Sequence, residues 1–256
     1  MQDKIFDIKN NEQFEKTALE MFNYQINHNP IYRSYAKYIL KKAPPVNIYE
    51  IPFLPISFFK NEQVICKSRA VQKIFLSSGT KGQKSKHLIS DITIYEKSYL
   101  QTFNLFYGDI KKYCVLSLLP NYRQNDSSSL IYMIDDLIEK SEHKSSGYYL
   151  ENYEKLTYML SELEKKNEKA ILFGVSHALL DLAEKFPQKL NNTIIIETGG
   201  TKGSMKEIIK QELHEKLKKA FSLSEVHSEY GMTELLSQSY SKGNGIFKSP
   251  PWKKIL

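Results

Sequence analysis

The chain is poor in cysteine and tryptophan, with two of the first and one of the second in 256 residues. Two cysteines cannot build a disulfide framework, and Cys66 and Cys114 lack the close spacing of zinc ligands. Cys114 falls in the apolar run YCVLSLL, where a thiol is expected to be buried and inert. No apolar run approaches the roughly 20 residues that a membrane span needs, and the amino terminus is polar and charged rather than signal-like. A cytoplasmic protein with no membrane span is expected. Internal repeats and low-complexity tracts are also lacking.

What is present is ordinary for a globular protein: 41% hydrophobic and 25% charged residues, in a length that suits one large domain or two small ones. The formal net charge of +7 raises the question of nucleic acid. The lysines, however, alternate with glutamates, as in KSEHK and ELEKKNEK, which is the pattern of solvated helix faces. No nucleic-acid partner is expected.

Periodicity predicts helices over residues 11–27, 31–42, 90–106, 129–139 and 153–166. Pro44 and Pro45 are expected to end the second of these. Residues 46–60, where prolines and aromatics alternate, read as an irregular segment that wraps a core or walls an apolar channel. Residues 113–119 form a continuous apolar run before Pro120, the pattern of a strand covered on both faces. From residue 169 the rhythm is strand (KAILFGV), helix (SHALLDLAEKF), strand (NTIIIETGG), helix (SMKEIIKQELHEKLKKAF). That alternation implies an α/β fold, with parallel strands joined by crossover helices. Ser204 and Glu207 have capping-box spacing and place the start of the last helix just after the glycines. Residues 1–50 are expected to form a helical segment packed on a main domain of residues 51–256.

Three polar loops follow apparent strands, and in α/β sheets ligands bind beyond the carboxyl ends of the strands. The first lies in KIFLSSGTKGQKSKH. Its Ser77, Ser78, Gly79, Thr80, Lys81 and Gly82, with Lys84 and Lys86 beyond, are what a polyphosphate loop needs: open backbone N–H groups, hydroxyl donors and cations. A Walker A loop begun at Gly79 would require glycine where Lys84 stands, so that motif is excluded. A lysine-rich surface turn would use the same residues. The second loop, ETGGTKG, has consecutive glycines against which a planar ring can lie, and reads equally as a turn that starts a helix. The third, SEYGMTE, offers a ring at Tyr230, a hydroxyl at Thr233 and a carboxylate at Glu234. Those parts stack a base, contact a phosphate and hold Mg²⁺, and an exposed turn before a helix would also contain them.

The first loop resembles the Ser-Gly-Thr-Thr-Gly-x-Pro-Lys loop of the adenylate-forming enzymes, with Lys81 at the second Thr, Lys84 at the Pro and Ser85 at the final Lys. Downstream, in the same order, residues 230–234 reproduce their Tyr-Gly-x-Thr-Glu motif. Within that superfamily the chain looks most like the acyl-protein synthetases of bacterial luminescence, the LuxE type. That likeness rests on SSGTKGQKSKH, LLPNYRQNDSSSLIYMIDDLI, IIIETGGTKG and HSEYGMTELLSQSY, and covers roughly residue 52 onward.

The resemblance implies the large, nucleotide-binding α/β domain of the adenylate-forming fold, with a mostly parallel sheet. It also implies an ATP-dependent ligase that activates a carboxylic acid, of fatty type, as an acyl adenylate in the presence of Mg²⁺. The acyl group would pass to a thiol acceptor: a protein cysteine, a carrier phosphopantetheine or coenzyme A. By position, Ser77, Ser78, Gly79, Thr80, Lys81 and Gly82 would form the phosphate loop, with Lys84 and Lys86 substituting for the family's lysine. Gly199, Gly200 and Thr201 would lie along adenine and the activated carboxyl. Tyr230 and Gly231 would contact adenine, Thr233 the α-phosphate and Glu234 the metal, so Thr80, Thr233 and Glu234 would carry the catalysis. Tyr122 and Ser128 or Ser129 would approach the acyl group, and His227 would line the pocket or serve the fold. The family's ribose-binding Asp, its small C-terminal lid domain with a catalytic Lys, and the acceptor cysteine of the luminescence enzymes have no counterpart up to Leu256. A fragment, or a shortened relative without the lid, is therefore expected. The alternative to catalysis is a relative that binds nucleotide or acyl ligand, or a subunit of an acyl-transfer complex.

Overall fold

In the computed structural model, residues 2–40, 43–67, 69–78, 83–119, 126–150, 152–198 and 209–256 are described. Three helices open the chain: α1 (Gln2–Phe6), α2 (Asn11–His28) and α3 (Pro30–Ile39). Asn10 and Asn29 cap α2 and α3 by accepting the amides of Gln13 and Tyr32, and Pro30 begins α3 where a missing N–H is harmless. The expected boundary at the prolines is too late. Leu40 already turns out of α3 (φ −85°, ψ 90°) and packs on a small core of Phe22, Tyr32, Ala36, Ile48 and Ile51. The irregular segment, with a 3-10 turn at Ile48–Glu50 and the one-turn helix α4 (Phe58–Asn61), wraps this core. Its Leu54 and Phe59 border a cavity of about 300 Å³.

Where the sequence suggested strand, loop and helix, the chain first makes a hairpin, β1 (Lys73–Leu76) paired antiparallel with β2 (Lys86–Ile89). The four residues KHLI are too short and too polar for periodicity to reveal. Then follow α5 (Ile92–Tyr107), β3 (Cys114–Leu118), α6 (Ser129–Ser141), β4 (Gly147–Tyr148), α7 (Tyr153–Lys165), β5 (Ala170–Gly174), α8 (Ser176–Lys185) and β6 (Thr193–Thr198). The chain continues through α9 (Lys210–Phe221), β7 (His227–Tyr230), β8 (Ser239–Ser241) and β9 (Phe247–Lys248). The predicted capping box at Ser204 and Glu207 lies outside the described residues. Ile209 is extended (ψ 144°), so α9 starts at Lys210, later than expected.

The last seven strands form one sheet in the order β4-β3-β5-β6-β7-β8-β9. Pairing is parallel from β4 to β7 and antiparallel at β8 and β9. This is the mostly parallel α/β architecture the alternating pattern predicted. Strand order reverses at β3, so crossovers of one hand place helices on both faces. Leu116, Leu118, Leu172 and Ile195 point to one core with α7, α8 and α9. Their neighbours Val115, Ile171, Phe173 and Ile196 point to the other with α5 and α6. Strands covered on both faces read as unbroken apolar runs, which is why they stood out in the sequence. Among the described residues no helix is long and apolar enough to cross a membrane.

Candidate functional site

A cavity of about 640 Å³ opens beyond the carboxyl ends of β5, β6 and β7. Ser176 follows β5, Glu197 and Thr198 end β6, and Glu229 and Tyr230 end β7; all five line it. The fourth wall is the hairpin, through Leu76, Ser77, Ser78 and Lys84, and the fifth is the start of α6, through Ser127, Ser128 and Ser129. Ser129, Ser176 and Lys210 are the first residues of α6, α8 and α9, so three helix amino termini face one space. Such ends carry unpaired N–H groups and a partial positive charge, and they favour an anion.

The loops at the mouth are fastened to one another. Leu76 N–H donates to Ser127 O at 2.8 Å, and Ser77 N–H to Ser85 O at 3.1 Å. Ser85 N–H returns to Ser77 Oγ at 2.9 Å. Ser85 is thus a buried serine that closes the base of the loop. Thr233 Oγ1 donates to Leu76 O at 3.4 Å. Thr233 O accepts from His87 Nδ1 at 2.9 Å, which fixes the imidazole tautomer because a carbonyl can only accept. Burial holds the His87 pKa below its ordinary value, against the opposing pulls of that hydrogen bond and of the Glu234 charge.

The deepest lining side chains are polar. Glu197 and Gln238 are each 3% exposed and Glu229 7%, whereas Tyr230 at the rim is 45% exposed. Thr198 Oγ1 donates to Glu229 Oε2 at 2.6 Å. Burial, reinforced by Glu197, pushes the Glu229 pKa up to about 7 against the pull of Thr198, Lys253 and Lys210. Glu229 Oε1 lies close to the turn: a Cβ on Gly231 would come within 2.8 Å of it, so any other residue there would push this carboxylate aside. Glu197 Oε1 accepts from Ser176 Oγ at 3.1 Å. Its Oε2 forms an ion pair with Lys210 Nζ at 2.9 Å and has no other partner among the described residues. Above the floor, Lys253 Nζ lies 5.0 Å from the centre of the Tyr230 ring.

Of the residues singled out in the sequence, Ser77, Ser78, Lys84, Tyr230, Gly231 and Thr233 meet in this cavity, with Ser128 and Ser129. Gly79, Thr80, Lys81, Gly82, Tyr122, Gly199, Gly200 and Thr201 lie outside the described residues. Lys86 is in β2 and exposed, away from the lining. Glu234 follows Thr233 in the turn, with its charge near His87. His227 serves the fold: it begins β7, stacks on Tyr107 at 5.7 Å and bonds its hydroxyl at 3.2 Å. Burial pushes its pKa down to about 4. Cys114 is buried and its thiol pKa is pushed up to about 11, the inert state expected.

The sequence reading missed Glu229, Gln238 and Ser176, and treated Glu197 only as the start of a loop. A signal for Glu197 was there: the run TIIIET continues straight into a carboxylate at the end of a buried strand. Glu229 and Gln238 had none, since each sits in a polar stretch that also suits a surface turn.

No family model matches the chain, and no curated protein matches it. Among solved structures it is similar to a mutant form of coronafacic acid ligase from Pectobacterium brasiliense, with TM-score 0.37 and 19% identity, over 52% of this chain and 24% of that one. The chain therefore spans about a quarter of that ligase's length. A likeness of this degree says nothing of activity, and the α/β class stands on the sheet itself.

Proposed function

We propose that the chain is a carboxylate-activating ligase of the adenylate-forming kind, close to the LuxE-type acyl-protein synthetases. The observation that carries this reading is the meeting of two motifs, 157 residues apart at their hydrogen bond from Thr233 to Leu76, in one cavity with three helix amino termini. Its volume falls within the roughly 300–1,000 Å³ usual for small-molecule sites.

In this reading the triphosphate lies against Ser77, Ser78 and Lys84, with Gly79, Thr80, Lys81, Gly82 and Lys86 of the same segment. Adenine stacks on the Tyr230 ring beside Gly231, and by the family likeness Gly199, Gly200 and Thr201 would lie along adenine and the activated carboxyl. Thr233 would turn its hydroxyl proton from Leu76 O to the α-phosphate. Mg²⁺ needs only one or two carboxylates besides phosphate oxygens, and Glu234, next to Thr233, would supply one; the ion would neutralise phosphate charge. The substrate carboxylate attacks the α-phosphorus, a new O–P bond forms, the Pα–O–Pβ bond breaks, and pyrophosphate leaves with the bonding pair. Both reactants are anions, so catalysis is mainly positioning and charge neutralisation, to which helix ends and lysines contribute. A thiolate then attacks the acyl carbonyl and AMP departs, leaving a thioester.

Exchange of labelled pyrophosphate into ATP, run with a panel of carboxylic acids, tests the reading. Exchange is expected with at least one acid; Thr233→Ala should reduce it about 10²–10³-fold, as losing one transition-state donor does, and Glu234→Ala should reduce it by weakening the hold on Mg²⁺. ATP binding without exchange for any acid would leave a nucleotide-binding relative instead.

A further inference from the structure

The floor of the cavity is rich in acceptors, on Glu197, Glu229 and Gln238. Gln238 is oriented by a chain: Tyr95 Oη gives its single proton to Ser129 O at 3.0 Å and so can only accept from Gln238 Nε2, at 3.1 Å. That fixes the amide with Oε1 turned away, buried and without a partner among the described residues. Glu197 Oε2 is also buried and has the Lys210 ammonium beside it at 2.9 Å, with no further partner among the described residues. A buried acceptor without a donor is costly, and a bound ligand that supplies donors to such acceptors removes that cost. A hydrocarbon end would leave them stranded.

Resting on the reading above, we propose that the acid this protein activates carries hydrogen-bond donors, hydroxyl or amino, at the end that reaches Glu197, Glu229 and Gln238. This is a substrate class different from the plain fatty acids of the family likeness. The charges at the floor suit either donor. Lys210 balances Glu197, and Glu229, with Lys253 and Lys210 acting on it, can answer an ammonium or accept from a hydroxyl.

The test is pyrophosphate exchange by the intact chain with sets of acids matched in length and ending in methyl, hydroxyl or amino groups. At least a tenfold higher kcat/KM is expected for a donor-ended acid, since sites built for a polar group discriminate strongly against its absence. The hydroxyl and amino arms decide which donor it is. Gln238→Leu and Glu197→Gln should each shrink the preference to below about threefold. Calorimetry with the same acids and no ATP gives a second readout that does not require turnover. If no acid supports exchange yet donor-ended acids alone bind, the activity is wrong and the inference stands. Equal or better exchange with methyl-ended acids overturns the inference and leaves the activity intact. So does a preference for ATP over inosine triphosphate with none among the acids, because the donor would then be the base amine.

Discussion

Glu229 shows how one side chain sets a condition on the whole site. Its folded pKa of about 7 lies above the ordinary 4.5, so the native state holds the proton more tightly than the unfolded chain. The stability this provides is present below pH 4.5, is lost as pH rises towards 7, and changes no further above it. That shift corresponds to roughly 3 kcal/mol. His87, His214 and His227 have lowered pKa values and act in the opposite sense, so the raw pH profile mixes the two. The difference between wild type and Glu229→Gln isolates the carboxyl. Denaturant unfolding should show the variant gaining on wild type, by up to about 3 kcal/mol, between pH 4.5 and 7. A pH-independent difference would mean that the carboxyl does not titrate there.

The β7 turn and the hairpin work as one element. Their joint is the bond from His87 to Thr233 O, with Phe59 packed edge-on against the imidazole at 5.2 Å. In His87→Ala that part-buried carbonyl loses its donor, which should cost about 1 kcal/mol. The turn would also sit less firmly over the Leu76 loop, so KM for ATP should rise more than kcat falls in the exchange assay. His87→Asn, which keeps a donor, should recover part of the KM. A loss of stability with unchanged KM in the alanine variant would show that the joint does not position the turn. Here the sequence was only half legible. The motif Tyr-Gly-Met-Thr-Glu was visible as chemistry, but its partner strand β2 was not, because pairing across a hairpin leaves no period in four residues.

At the scale of the molecule the described residues form three cores: one on each face of the sheet, and a small one holding α2, α3 and residues 48–51. Phe22, 4% exposed, meets Tyr32 edge-on at 6.1 Å in the small core. Phe22→Ala should cost about 3–5 kcal/mol in that core. Hydrogen exchange should accelerate in α2 and α3 while β5 and β6 keep their protection, as separate cores open separately. Equal loss of protection in the sheet would show that the amino-terminal helices and the sheet unfold as one.

The sequence by itself determined the α/β alternation and the two recognisable loops, because buried parallel strands, helix periods and glycine-rich turns are written locally. Only the tertiary structure decided that α9 starts at Lys210, that Ser85 closes the first loop, and that Glu197, Glu229 and Gln238 share a floor. Those facts depend on which strand ends become neighbours, and a carboxylate reads the same in sequence whether water or another strand surrounds it.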